Sequence, residues 1–173
     1  AQRGRFREFY QADIDVIGDG KLDIANEAEV PAIIYKTFTA LGLKRFKIRV
    51  NNRKVLGGLF AALGLQEHAG DVMRTIDKLE KIGSEKVKAI LTDDFAVPAA
   101  TADRLLELLS TPDPMAALEG FRGQNALLDQ GIGELSTVVG YLSAFGVPED
   151  HFAVDLTIAR GLDYYTGTVY ETV

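Results

Sequence analysis

Strand-forming patterns in this chain are confined to its two ends. Residues 5–17, 45–50, 152–156 and 163–173 are rich in aromatic and β-branched side chains, whereas residues from about 65 to 121 carry only short helical periodicities. Any sheet must therefore draw on segments from both sides of the helical stretch, with the intervening chain packed as helices. An α+β fold with an antiparallel sheet and a helical insertion is the expectation.

The first of these segments runs from Arg3 to Ile17 without Gly or Pro after Arg5, and reads as one long strand. Alternation places Phe6, Tyr10, Ala12, Ile14 and Val16 on a core-facing side. Arg5, Arg7, Phe9, Gln11, Asp13 and Asp15 fall on the other, which passes from cationic through aromatic and amide to anionic. Such a face could hold a ligand that is negative at one end and positive at the other. It could equally be a solvated face with cross-strand ion pairs.

Gly18-Asp19-Gly20-Lys21 signals a turn, and residues 26–41 follow as a helix with Asn26 and Glu29 at capping-box spacing and Pro31 close to its start. Phe46, Ile48 and Val50 alternate with Lys47 and Arg49 in a second strand that Asn51-Asn52 ends, and residues 55–63 form a helix containing Gly57-Gly58. In the middle, Val72, Met73, Ile76, Leu79 and Ile82 mark one helix, Val87, Ile90 and Leu91 a second, and Leu105, Leu106, Leu108 and Leu109 a third. Thr111-Pro112-Asp113-Pro114 is a breaker. Leu128, Ile132, Leu135, Val139 and Leu142 then recur at intervals of four and three, giving a long packing helix stopped by Gly146-Val147-Pro148. Residues 152–156 and 163–173 are expected to pair with one another. The expected division is a partial core over 1–64, a helical insertion over 65–122, and a return helix with two strands over 123–173.

Composition removes several function classes. With 25 acidic against 19 basic residues, a net charge of −6 argues against a chain built mainly to grip phosphate backbones. No cysteine is present, which excludes disulfides and thiolate metal sites. No apolar run approaches the roughly 20 residues that span a bilayer, and cytoplasm is the default expectation. There is no Gly-Lys-Ser/Thr of a P-loop, and Gly131-Ile132-Gly133 lies in a helix with no strand before it. Asp13-Ile14-Asp15 resembles the front of a calcium loop, but Ile17 and Ile24 stand where further ligands belong. His68 and His151, 83 positions apart, lack motif context, and no metal site is expected.

Two long ordered strings carry a resemblance. Gly4-Arg5-Phe6-Arg7-Glu8-Phe9-Tyr10-Gln11-Ala12-Asp13-Ile14-Asp15 resembles the second half of motif 2 of class II aminoacyl-tRNA synthetases in its histidyl form, Gly-Arg-x-Arg-Glu-Phe-x-Gln-x-Asp-x-Asp. Arg160-Gly161-Leu162-Asp163-Tyr164-Tyr165-Thr166-Gly167 is similar to the histidine-specific motif of histidyl-tRNA synthetases. A looser resemblance extends over the rest of the chain.

The resemblance implies part of the class II catalytic core, with ATP as substrate, magnesium, and histidine joined to tRNA(His). It implies a catalytic Arg160 that stabilises charge at the α-phosphate, a task suited to a permanently cationic planar fork. Gln11, Asp15, Tyr164 and Tyr165 would hold histidine, with Tyr165 facing its imidazole. Phe9 would stack on adenine, and Arg5 and Arg7 would meet ATP phosphates and the tRNA acceptor end. Asp13 and Asp163 fit structural and functional roles alike. The leading arginine of motif 2, motifs 1 and 3 and the anticodon-binding domain have no counterpart in these residues. With both ends reading as interrupted units, the chain is expected to be an inactive piece of a larger homodimeric enzyme. The other class to weigh is a noncatalytic synthetase-like regulatory or sensing domain, such as the regulatory subunit of ATP phosphoribosyltransferase; such relatives erode the motifs that Arg5, Arg7, Gln11, Asp15 and Arg160 preserve here.

Overall fold

The computed structural model describes residues 8–159 and 164–173. Arg5, Arg7, Arg160 and Asp163 lie outside the described residues, as does the part of the expected opening strand before Glu8.

At the centre is strand β1 (Ile48–Asn52), whose alternation buries Ile48 and Val50 completely. Strands β2 (Phe152–Val154) and β3 (Thr168–Thr172) flank it on opposite sides, β2 parallel and β3 antiparallel. The α+β class holds, with a sheet that is mixed, and the two C-terminal strands pair with β1 instead of with each other. Connectivity explains the difference. The chain leaves β1 through a long helical crossover and returns alongside it, as a parallel pairing requires, and only then reverses into β3.

The opening segment also departs from expectation. Residues 8–17 form no strand, and the supposed core side chains Tyr10, Ala12, Ile14 and Val16 are exposed. Side-chain alternation alone makes no strand; the backbone needs a partner, and among the described residues both edges of β1 are occupied by β2 and β3. Ala12, Asp13 and Ile14 instead line a groove of about 330 Å³ against Ile33, Ile34, Phe38 and Leu41.

Helix α1 (Ala25–Ala40) starts without the expected capping box. Asp23 does that work, its carboxylate accepting from the Ala25 N–H at 2.9 Å while Asn26 Nδ2 donates to the Asp23 carbonyl at 2.8 Å. Pro31 sits inside α1, buried, and has no N–H to give the carbonyl of Glu27 four residues back. The Tyr170 hydroxyl of β3 donates to that carbonyl, and Thr168 Oγ1 donates to the Glu27 carboxylate. The defect in the helix thus becomes its attachment to the sheet.

Helices α2 (Arg53–Ala62) and α8 (Ala126–Ala144) cross closely because two glycines remove the side chains at the crossing. A Cβ on Gly58 would lie 2.5 Å from Leu128 Cβ, and one on Gly131 would lie 2.5 Å from the Val55 backbone nitrogen. Asn125 caps α8, its Oδ1 accepting from Leu128 N at 2.9 Å while its Nδ2 donates to the Gly58 carbonyl at 3.0 Å. Gly146, at φ +82°, closes it, and Val138 is the fully buried position where Val139 was expected.

Between them run α3 (Ala69–Ile76), α4 (Leu79–Ile82), α5 (Ser84–Asp93), α6 (Ala99–Leu109) and α7 (Pro114–Glu119), with no strand over residues 65–122. The expected single helix through Val72 and Ile82 is broken at Asp77 and Lys78. Thr75 Oγ1 bonds back to the Asp71 carbonyl at 2.8 Å, a bond that bends helices, and Lys78 N donates to Thr75 O three residues back. The breaker at 111–114 also starts a helix: Asp113 caps α7, accepting from Ala116 N at 3.0 Å, with Pro114 first in the helix. One hydrophobic core runs continuously from Ala28 of α1 through the sheet to Val87, Leu105 and Leu118 of these helices.

Glycine substitutions in α8 should therefore have opposite signs. Gly131→Ala drives a Cβ into the backbone of α2, and thermal unfolding should show a net loss, the overpacking of about 1–3 kcal/mol exceeding a helix-propensity gain of up to about 1 kcal/mol. At Gly140, open space surrounds the added methyl, and Gly140→Ala should raise stability by about 0.5–1 kcal/mol.

Burial and the Glu27 charge push the Tyr170 phenol above its ordinary pKa of 10.0. Ionisation therefore favours the unfolded chain, so this contribution is intact below pH 10 and declines above it by about 1.4 kcal/mol per pH unit. Denaturant unfolding should show Tyr170→Phe less stable by about 1–3 kcal/mol near neutrality, through the orphaned Glu27 carbonyl, and without that alkaline decline.

Candidate functional site

The junction where β1 becomes α2 is the most heavily bonded polar place among the described residues. Asn51 is fully buried; its Nδ2 donates to the carbonyls of Leu156 at 3.3 Å and Ile158 at 3.0 Å, and its Oδ1 accepts from Asn52 N at 2.8 Å. Asn52, also fully buried, is the N-cap of α2, accepting from Lys54 N at 2.8 Å and donating to Glu134 Oε2 at 2.9 Å. Arg53 reaches across the chain, its amide donating to the Gly167 carbonyl at 2.8 Å and its guanidinium to the Ala159 carbonyl at 3.4 Å and to Met73 Sδ.

Glu134 braces the junction from α8. Burial alone would push its carboxyl up, but hydrogen bonds from Lys54, Asn52 and Gln130 outweigh that and hold it below the usual range. The stabilisation this gives is present above its ordinary pKa of 4.5 and is lost as pH falls below it.

This junction grips the stem of the second motif string. Residues 155–158 turn with the Asp155 carboxylate accepting from Thr157 N at 2.9 Å and from its hydroxyl at 2.6 Å, and Arg49 lies 3.5 Å from the same carboxylate. Ala159 and Gly167, on either side of residues 160–166, are the two carbonyls that Arg53 holds. Strand β3 then leads back to Glu27.

Of the residues singled out above, Tyr164 and Tyr165 lie in this string, 85% and 52% exposed, with perpendicular rings 5.3 Å apart. Phe9, Gln11 and Asp15 belong to the exposed opening segment, where Gln11 Nε2 donates to Asp13 Oδ1 at 2.8 Å. No hydrogen bond, ion pair or ring contact among the described residues joins the two sets. Arg5, Arg7 and Arg160 are outside the described residues. No group of three or more His, Asp or Glu side chains among the described residues is arranged to hold a metal ion. His151 packs against Phe46 and Tyr35 with Nδ1 3.1 Å from the Phe46 carbonyl, a structural placement.

The family model described as histidyl-tRNA synthetase matches residues 1–173. A histidine–tRNA ligase of Clostridium tetani is 47% identical over 176 residues, covering 99% of this chain and 40% of that protein. The crystal structure of a histidyl-tRNA synthetase from Nostoc sp. PCC 7120 superposes with a TM-score of 0.84 at 36% identity, over 88% of this chain and 37% of that one. A structure described as an ATP phosphoribosyltransferase regulatory subunit/histidyl-tRNA synthetase, from Bacillus halodurans C, shares the fold at 23% identity and a TM-score of 0.72.

The chain belongs to the histidyl-tRNA synthetase family.

It spans about two fifths of the length of the curated family members it matches. Within this synthetase fold, Asn51-Asn52 does more than end a strand: two adjacent amides followed by two cations at a strand-to-helix corner bond both backbone and carboxylate.

The two asparagines should differ in weight. Asn51→Ala orphans two buried carbonyls and an N–H and should cost about 2–4 kcal/mol in denaturant unfolding, against about 1 kcal/mol for the lost cap in Asn52→Ala.

Proposed function

We propose that the protein carrying this chain is a histidine–tRNA ligase. It activates histidine with ATP to histidyl-adenylate and passes the histidyl group to tRNA(His). The observation that carries this reading is the presence of both ordered strings, with Arg5, Arg7, Gln11, Asp15 and Arg160 all retained, in a chain that matches the synthetase family from end to end.

In the first step the carboxylate of histidine attacks the α-phosphorus of ATP and pyrophosphate leaves; in the second a terminal ribose hydroxyl of the tRNA attacks the adenylate carbonyl and AMP leaves. Arg160 is the group for the negative charge that gathers on the α-phosphate, since a guanidinium stays cationic throughout. Gln11 and Asp15 supply an amide and a carboxylate for the ammonium and ring nitrogens of histidine. Tyr164 and Tyr165 complete that site, with Tyr165 toward the imidazole. Phe9 offers a stacking face to adenine, and Arg5 and Arg7 offer charge to the phosphates and the acceptor end. Magnesium enters with the ATP phosphates as part of the substrate. Residues 65–122 form a helical insertion between the two motif-bearing parts of the core, on the side where tRNA approaches. The full-length protein works as a homodimer in the cytoplasm.

A regulatory or histidine-sensing domain is the competing class, and intact motif residues favour the enzyme over it. Histidine-dependent ATP–pyrophosphate exchange by the full-length protein distinguishes them. Exchange should be present and fall by about 10²–10³-fold in Arg160→Ala. Histidine binding without any exchange would overturn the enzymatic reading.

A further inference from the structure

Residues 160–166 start and finish at carbonyls held by a single side of the fold. Ala159 O, at the start, accepts from the Arg53 guanidinium, and Gly167 O, at the finish, accepts from the Arg53 amide at 2.8 Å. Immediately upstream, Leu156 O and Ile158 O accept from the buried Asn51 amide. Carbonyls on both sides of the segment are therefore fixed by two residues two positions apart. Those residues sit where β1 is locked in the sheet and where α2 is pressed to backbone contact with α8 at Gly131.

We propose that Arg53, backed by Asn51, is a positioning residue for the histidine-specific motif, holding Ala159 and Gly167 on either side of it and so positioning Tyr164 and Tyr165. This rests on the reading of Arg160, Tyr164 and Tyr165 as substrate-facing. Arginine suits the task because its Nη1 carries two N–H donors, one for the Ala159 carbonyl and one for the Met73 sulfur. A displacement of about 1 Å at a reacting group can cost about 10²-fold in rate, so a clip remote from the chemistry can still govern it.

The test uses the full-length protein with Arg53→Gln, Arg53→Lys and, as a control for the sulfur contact, Met73→Leu. In hydrogen–deuterium exchange, Arg53→Gln should speed exchange in peptides covering residues 154–159, where the Ala159 carbonyl loses its guanidinium donor, and leave α5, α6 and α8 unchanged. In histidine-dependent pyrophosphate exchange, kcat should fall by about 10–100-fold in Arg53→Gln, with part of the loss recovered in Arg53→Lys and none incurred in Met73→Leu. Because a positioning residue acts through the group it positions, Arg53→Gln should add little to the loss already caused by Arg160→Ala. The proposal is overturned if the flanking peptides exchange as in the parent, or if kcat is unchanged, or if the two losses multiply. If Arg53→Gln does not fold, the same readouts on Arg53→Lys decide. A parent protein with no pyrophosphate exchange at all would sink the ligase reading, while the deuterium exchange would still decide whether Arg53 clips the segment.

Discussion

One buried amide ties the central strand to a segment more than a hundred residues later. Asn51 sits on the last turns of the central strand with no exposure to solvent, and a primary amide in that position must find partners or cost the fold several kcal/mol, of order 1–3 per unmet group. It finds them in the carbonyls of residues 156 and 158 and in the next amide of its own backbone. A segment more than a hundred positions away is thereby held at a set distance from β1. Strand β3 is then fixed by its own antiparallel pairing with β1, from Ile48 opposite Thr172 to Asn52 opposite Thr168.

The rest of the framework keeps the junction from moving. Gly58 and Gly131 let α2 and α8 meet at backbone distance, so the helix beginning at Arg53 cannot slide without opening the core. Glu134 binds Asn52 and Lys54 from the same helix α8. On the far side, Pro31 leaves a carbonyl of α1 without its helical donor, and Tyr170 of β3 meets it. The sheet is small, with β1 flanked by a three-residue and a five-residue strand, and helix contacts of this kind substitute for strands it lacks among the described residues.

Periodicity made the long helices legible: the apolar stripe of residues 128–142 lies within α8, and Leu105 to Leu109 within α6. Residues 45–50 were recognisable as holding a strand for the same reason, although β1 runs from Ile48 to Asn52. Pairing was not legible, because which strand lies beside which depends on tertiary packing that no local pattern encodes. The opening segment makes the point most clearly, since its strand-like alternation from Tyr10 to Val16 is genuine and yet those side chains are exposed along α1. The two motif strings could be read directly as marks of the family, because that resemblance lies in the identity and order of residues. Asn51 and Arg53 could not, because their roles exist only once Leu156, Ile158, Ala159 and Gly167 are folded against them.

The proposed ligase chemistry requires the histidine-specific motif and the motif 2 segment to act on the same small ligand, with the Asn51 to Arg53 junction holding the residues that flank the former. A crystal structure of the full-length protein with a nonhydrolysable histidyl-adenylate analogue tests this most directly. The account predicts the Arg160 guanidinium on the α-phosphate with the Gln11 amide and the Asp15 carboxylate on the histidyl moiety, and Arg53 still bridging Ala159 and Gly167. Finding residue 160 turned away from the ligand, or on the opposite side of the sheet from residue 11, would contradict it.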